Sequence, residues 1–418
     1  MKKIFRIGLV GLLLLLTFVS AFAKQKVITV WAFSDELKAY AKDFEAANPD
    51  IKVEFTIIPN EEYPTKLRPV LRTGKGAPDI FLGEAAYVRK WVDLGMWEDL
   101  SKTFKKDIAQ YKEQSPGYVV KLGEDNKGHI RAVSWQATPG GFFYRRALAK
   151  KYFGTDDPAK IEEMISTPEK FIAFGEKLRD ASNGKVKLLA GYGEYENIAK
   201  ARRNQGWVNS NNELVIDPAL IEYMDTAKAL RDKNITAKTS QWTPAWFAGF
   251  SNGEIFGYVL PTWGLHYVIK PNAGDTAGDW GVVRGPAPYY WGGTWLGIYK
   301  KSKVKKEAWE FIKMLCIDED YQYQYTKKVG DFMSNTKVDE RLANEAGDPF
   351  LAGQNHYAFF LREAKFIKGG LETSYDLDIN GLWGSAVLNY VNGDMTKDEA
   401  IADFKKQVKN AFPRLTVK

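Results

Sequence analysis

Val27-Ile-Thr-Val-Trp-Ala-Phe-Ser-Asp-Glu-Leu-Lys-Ala-Tyr-Ala-Lys-Asp-Phe-Glu-Ala-Ala-Asn-Pro-Asp-Ile-Lys-Val-Glu-Phe-Thr-Ile-Ile58 reads as strand, helix, strand. Val27 to Phe33 is rich in β-formers, and Ser34-Asp35-Glu36 offers an N-cap followed by first-turn acids. Leu37, Ala41, Phe44 and Ala47 then share one helical face up to Asn48-Pro49, and from Ile51 the apolar residues alternate with polar ones. Two strands joined through a helix require a right-handed crossover and parallel pairing. A second helix, Tyr63 to Arg72, leads into Ala77-Pro-Asp-Ile-Phe-Leu-Gly-Glu84, a third buried strand that ends in a carboxylate.

Working outward, the chain begins with Lys2, Lys3 and Arg6, an apolar run from Ile7 to Phe18, and Ala21-Phe-Ala23. That order predicts a cleavable signal peptide over residues 1–23 and a mature chain starting at Lys24. The only cysteine is Cys316, so no lipid anchor is expected at the cut, and its apolar-periodic setting suggests a buried hydrophobe. Removing the three cations lowers the formal charge from +7 to +4, too weak a bias to argue for a nucleic-acid partner. An exported protein of this length is expected to form two domains.

Further strands are expected at Val186 to Ala190, Ile255 to Leu260 and Trp295 to Tyr299, set among helices such as Phe171 to Ala181 and Ile221 to Asp232. Thr167-Pro168 is a helix start, and Thr396-x-x-Glu399 is a capping box. In Phe250-Ser-Asn-Gly-Glu-Ile-Phe-Gly-Tyr-Val-Leu-Pro-Thr-Trp263 a turn opens the segment and Pro261 ends its strand, which delivers Trp263 to the strand's carboxyl end. A tryptophan there either plugs the core or forms a wall of a ligand crevice.

Several segments together resemble the family 1 extracellular solute-binding proteins of ABC importers, the maltose-binding-protein-like group. They are Asn48-Pro-Asp-Ile-Lys-Val-Glu-Phe55, Ala77-Pro-Asp-Ile-Phe81, Gly95-Met-Trp-Glu-Asp-Leu-Ser101, Tyr144-Arg-Arg-Ala-Leu148, Thr167-Pro-Glu-Lys-Phe171, Ser251 through Trp263, Ser302 to Leu315, and Asn392 to Ala400, in the family's order. The resemblance implies an α/β, two-lobed periplasmic binding protein of type II. Each lobe would be a mixed, mainly parallel sheet flanked by helices, with a cleft between the lobes. It implies an N-terminal lobe of residues 24–137 with 287–337 and a C-terminal lobe of residues 138–286 with 338–418. Thr138-Pro-Gly-Gly141 and Gly285-Pro-Ala-Pro288 suit hinging at the crossings. A non-catalytic, monomeric receptor that hands a sugar to a membrane permease follows, with no cofactor and no metal.

A sugar presents C–H faces and a rim of hydroxyls, so its site needs flat aromatics beside hydrogen-bonding groups. Aromatic candidates near strand ends and crossings are Phe33, Trp135, Tyr192, Trp263, Trp291 and Trp383. Polar or close-approach candidates are Asp35, Glu36, Glu84, Gln136, Thr138 and Gly293, with Asn380 beside Trp383. The resemblance places a sugar-stacking tryptophan at the position of Trp263. Alternatives are a polyamine, osmolyte or metal as cargo, and an exported carbohydrate-active enzyme. Adjacent Tyr289 and Tyr290 resemble the tyrosine pair of iron(III)-binding periplasmic proteins, but they sit between Pro288 and Trp291 without an acid or His partner, so aromatic packing is the expected role; His129, His266 and His356 show no zinc-ligand spacing. The intact mass of the exported protein is expected to correspond to a chain beginning at Lys24 without lipid; a retained Met1 or a lipid adduct would refute this.

Overall fold

A computed structural model describes residues 25–418, so the expected signal segment and its cleavage point lie outside the described residues. Among the described residues there are eight strands: β1 Lys26–Ala32, β2 Ile51–Ile57, β3 Ile80–Glu84, β4 Val133–Ser134, β5 Gly140–Arg145, β6 Gly257–Pro261, β7 Trp280–Val283 and β8 Thr294–Ile298. They form two mixed α/β lobes, one around the sheet β2-β1-β3-β8-β4 and one around β6-β5-β7.

In the first sheet β1 runs parallel to β2 and β3, as the opening strand-helix-strand pattern requires. β8 is antiparallel to β3, with Leu82 opposite Leu296, because it enters the sheet from the second lobe. The helix Leu37–Ala47 buries Leu37, Tyr40, Ala41 and Phe44 against this sheet. Asp79, in the Ala-Pro-Asp-Ile segment, holds three parts of the lobe together. One oxygen accepts from the Thr29 backbone N–H at 3.0 Å and its hydroxyl at 2.8 Å, while the other accepts from Ser302 Oγ at 2.7 Å, just before the helix Lys305–Cys316. Gly297 is glycine for a packing reason: a Cβ there would lie 2.3 Å from the Trp97 ring, which stacks on Phe81 at 4.9 Å.

The expectation of mainly parallel pairing does not extend to the second sheet, where β5 is antiparallel to both β6 and β7. Its parallel neighbours are single bridges, Lys187 with Ile255 and Leu189 with Thr236. The expected strand Val186 to Ala190 is thus an irregular edge tied by Lys187 N–H to Glu254 O at 2.8 Å and Leu188 N–H to Ile235 O at 2.9 Å. Pro261 does end β6, opposite Gly140, and the chain turns at once into the short helix Thr262–Gly264 and the π-helical turn Leu265–Ile269.

Capping follows the sequence in two of three places. Thr167 accepts from Lys170 N–H, and Thr396 with Glu399 forms the full capping box. Ser34 does not cap its helix: the N-cap position is Glu36, in helical conformation with no side-chain cap, because Ser34 and Glu36 line an open cavity instead. Cys316 is buried, as expected of a small hydrophobe. Asp79→Ala leaves three donors without their acceptor and is expected to cost at least about 2 kcal/mol in urea unfolding. A loss below about 0.5 kcal/mol would show that Asp79 does not hold the lobe together.

Candidate functional site

The chain passes from the first sheet to the second between β4 and β5, and returns between β7 and β8. These two crossings pair with each other. Pro139 bridges Tyr290, Gly140 N–H donates to Tyr289 O at 2.7 Å, Trp291 N–H donates to Thr138 O at 3.1 Å, and the Thr138 hydroxyl donates to Gly292 O at 2.9 Å. Gly292 and Gly293 have φ of 75° and 106°, values a side chain would strain, and the resulting bend carries Gly293 O to within 3.1 Å of Ala85 N at the end of β3. A cavity of about 770 Å³ opens beside this ribbon, between the ends of β1 and β3, the turn after β6, and the C-terminal segment around Glu372 and Asn380.

Three indoles make one wall. Trp263, half-buried after Pro261, donates its Nε1–H to Trp291 O at 3.1 Å and meets the Trp291 ring edge-on at 5.2 Å. Trp242 lies nearly parallel to Trp263, with centroids 6.1 Å apart and planes at 21°. It is 51% exposed and has φ of 68°. A left-handed backbone at a bulky residue costs about 1–2 kcal/mol, and an exposed indole gains little burial in return. The conformation is held by packing on Trp246, whose Nε1–H donates to buried Glu194 at 2.9 Å.

Acids face the indoles. Glu84 Oε2 accepts from Ala86 N–H at 2.7 Å, and burial pushes its carboxyl up to about 7. A Cβ on Gly292 would sit 3.1 Å from Trp263 Nε1 and 3.8 Å from Glu84 Oε1, so these two groups flank that glycine. Glu36 is pushed up to about 8, by burial first and then by the charges of Asp331 and Asp35; burial also lifts Asp331 to about 6. At neutral pH Glu36 therefore keeps its proton and can donate as well as accept hydrogen bonds.

Of the residues expected from sequence, Phe33, Glu36, Glu84, Gln136, Trp263, Trp291 and Gly293 line this cavity together, as does Asn380. The others lie elsewhere. Trp383 is fully buried between Trp207 and Phe404, and Trp135 is fully buried in the first lobe's core. Thr138 is buried and spends its hydroxyl on the ribbon; Asp35 points to solvent. Tyr192 is half-buried outside the cavity, and its turn contributes through Glu194, which supports Trp246. The adjacent tyrosines are divided: Tyr289 is buried and donates to Gly141 O, while Tyr290 lines the cavity and donates to Glu372. Sequence reading missed Trp242, since Gln241-Trp-Thr-Pro244 carries no strand-end signal.

A family model described as bacterial extracellular solute-binding protein matches residues 39–349, well over half of the chain. The chain belongs to that family. Among solved structures, an extracellular solute-binding protein of family 1 is similar at a TM-score of 0.80 and 21% identity, covering 92% of this chain and 99% of that one. The sugar-binding protein MalE from Xanthomonas citri is similar at 0.76 and 18% identity, covering 92% and 97%. The ABC transporter associated binding protein from B. animalis subsp. lactis Bl-04, in complex with beta-1,6-galactobiose, is similar at 0.73 and 20% identity, covering 92% and 97%. At these identities the likeness establishes the two-lobed fold of this solute-binding protein. Its described helices include none long and apolar enough to cross a membrane.

The raised acids of the solute-binding protein give a signed pH dependence. The unfolded chain releases the Glu36 proton near pH 4.5, whereas the folded protein holds it up to about pH 8. The stability this provides is complete below pH 4.5 and is lost as pH rises through 8. Glu36→Gln is therefore expected to melt with wild type at pH 4 and above it at pH 8; coincident melting at both would show an ordinary Glu36.

Proposed function

We propose that this solute-binding protein receives a carbohydrate, mono- or oligosaccharide, in the cavity and delivers it to the permease of an ABC importer. The observation that carries the reading is the wall of Trp242, Trp263 and Trp291, with flat faces of the size of a sugar ring, opposite Glu36 and Glu84. Packing on Trp246 and Trp263 offsets part of the strain at Trp242, whose ring remains half exposed, and a stacked ligand would cover the rest. The two sugar-binding neighbours above are in keeping with this cargo.

The acids bear on the choice of cargo. A polyamine requires ionised carboxylates, and burial here works against ionisation; a neutral polyol is served by carboxyls that both donate and accept. Binding without turnover needs nothing more from these groups. Residues 24–137 with 287–337 form one lobe in this reading, and residues 138–286 with 338–418 the other. They close about the paired crossings, so that ligand contacts from both sides favour the closed state. The protein acts as a periplasmic monomer.

Calorimetry against a panel of oligosaccharides and polyamines tests the proposal. A sugar is expected to bind, and Trp263→Ala and Trp242→Ala are each expected to weaken it by about 1.5–3 kcal/mol, tenfold to over a hundredfold in Kd. Trp242→Ala should leave the melting temperature of the empty protein near that of wild type, because its indole is exposed. Binding of a polyamine alone, sugar affinity indifferent to both substitutions, or release of hydrolysis products would overturn the assignment.

A further inference from the structure

His266 and His356 are far apart in sequence, yet their ring centroids lie 5.5 Å apart in the fold. His266 sits on the π-helical turn that follows Trp263, and His356 opens the helix His356–Ala364. Asp348 completes a group of three in which one ligand atom from each residue lies within 4.8 Å of the other two. His356 is only 6% exposed, and neither of its ring nitrogens has a hydrogen-bond partner; His266 Nε2 is likewise buried and unpartnered. A buried histidine normally has a partner for each nitrogen, fixing its tautomer. His356 Nδ1 stands 3.9 Å from Asp348 Oδ2, and one nitrogen from each histidine with one carboxylate oxygen makes the donor set of a borderline-soft divalent ion.

We propose that His266, His356 and Asp348 form a divalent transition-metal site, suited to Zn²⁺, distinct from the cavity. Tetrahedral ligands about 2.1 Å from zinc stand about 3.4 Å apart, so the group closes by at most about 1.4 Å on loading, within the reach of side-chain rotation. Burial and the nearby Lys270 ammonium hold both imidazoles in the neutral form that ligates. Asp348 Oδ1 accepts from Phe350 N–H at 2.9 Å and keeps that role, while Oδ2, now 2.7 Å from Lys270 Nζ, turns to the ion. Lys270 is partly exposed and swings to solvent. It is the site's built-in competitor: its charge stabilises Asp348 when the metal is absent and opposes the ion when it arrives. The bound ion ties the turn beneath Trp263 and Tyr267 to the helix His356–Ala364, two segments otherwise linked only through side-chain packing.

The test uses untagged protein stripped with a chelator, titrated with Co²⁺ by visible absorption and with Zn²⁺ by calorimetry and thermal melting. One ion per chain, d–d bands of a low-coordinate Co²⁺ centre and a raised melting temperature are expected. His356→Gln and His266→Gln should each weaken binding at least about tenfold. Lys270→Met should strengthen it, and His129→Gln, whose imidazole pairs with Asp99 instead, should leave it unchanged. Because His356 is buried and its variant risks misfolding, the half-buried His266 provides an independent arm. No binding by the wild type, or equal affinity in wild type and His266→Gln, would overturn the proposal.

Discussion

The hydrogen bonds between the two crossings constrain everything that lies near the cavity. Thr138 receives Trp291 N–H at its carbonyl and gives its hydroxyl to Gly292 O, so the outgoing and returning strands are paired as one ribbon. Gly140 makes the pairing possible, since a Cβ there would lie 2.0 Å from the Tyr289 ring. The ribbon presents Trp291 O to Trp263 Nε1 and Gly293 O to Ala85 N, linking the turn after β6 to the end of β3. One aromatic wall and one acidic wall are thereby set against each other by backbone hydrogen bonds, which tolerate less variation than surface ion pairs.

Within that frame the cavity combines features that a core would reject. An exposed tryptophan with positive φ and two carboxyls whose pKa values are lifted by burial each cost stability in the empty protein. They are supported from behind. Glu194 holds Trp246, which packs under Trp242, and the Trp263 indole is fixed by a single carbonyl. Support of this kind fixes the cavity wall in advance, which lowers the ordering that any occupant would have to impose.

The local pattern of the chain carried most of the first lobe. There the alternation holds from Ile51 to Phe55 but fails at exposed Ile57, and the helical face of Leu37, Ala41 and Phe44 is buried while Ala47 at its end is exposed; in the other lobe the capping box at Thr396 forms as read. The second sheet was harder: its antiparallel order follows from which distant strands β5 meets, and Val186 to Ala190, β-like in composition, meets its neighbours only at isolated bridges.

For the site, the sequence by itself determined the inventory: a tryptophan after Pro261, an acid at the end of β3, and an aromatic cluster at the returning crossing. Only the tertiary structure decided which members line the cavity. Trp263 and Trp383 have the same side chain, but Trp207 and Phe404 close over one while the crossings leave the other open. Trp242 had no mark in its own neighbourhood, and His266 and His356 had no spacing to suggest that they meet. Periodicity records contacts within one element, whereas exposure, pKa and convergence of side chains arise where segments from different elements pack, and no local pattern encodes that packing.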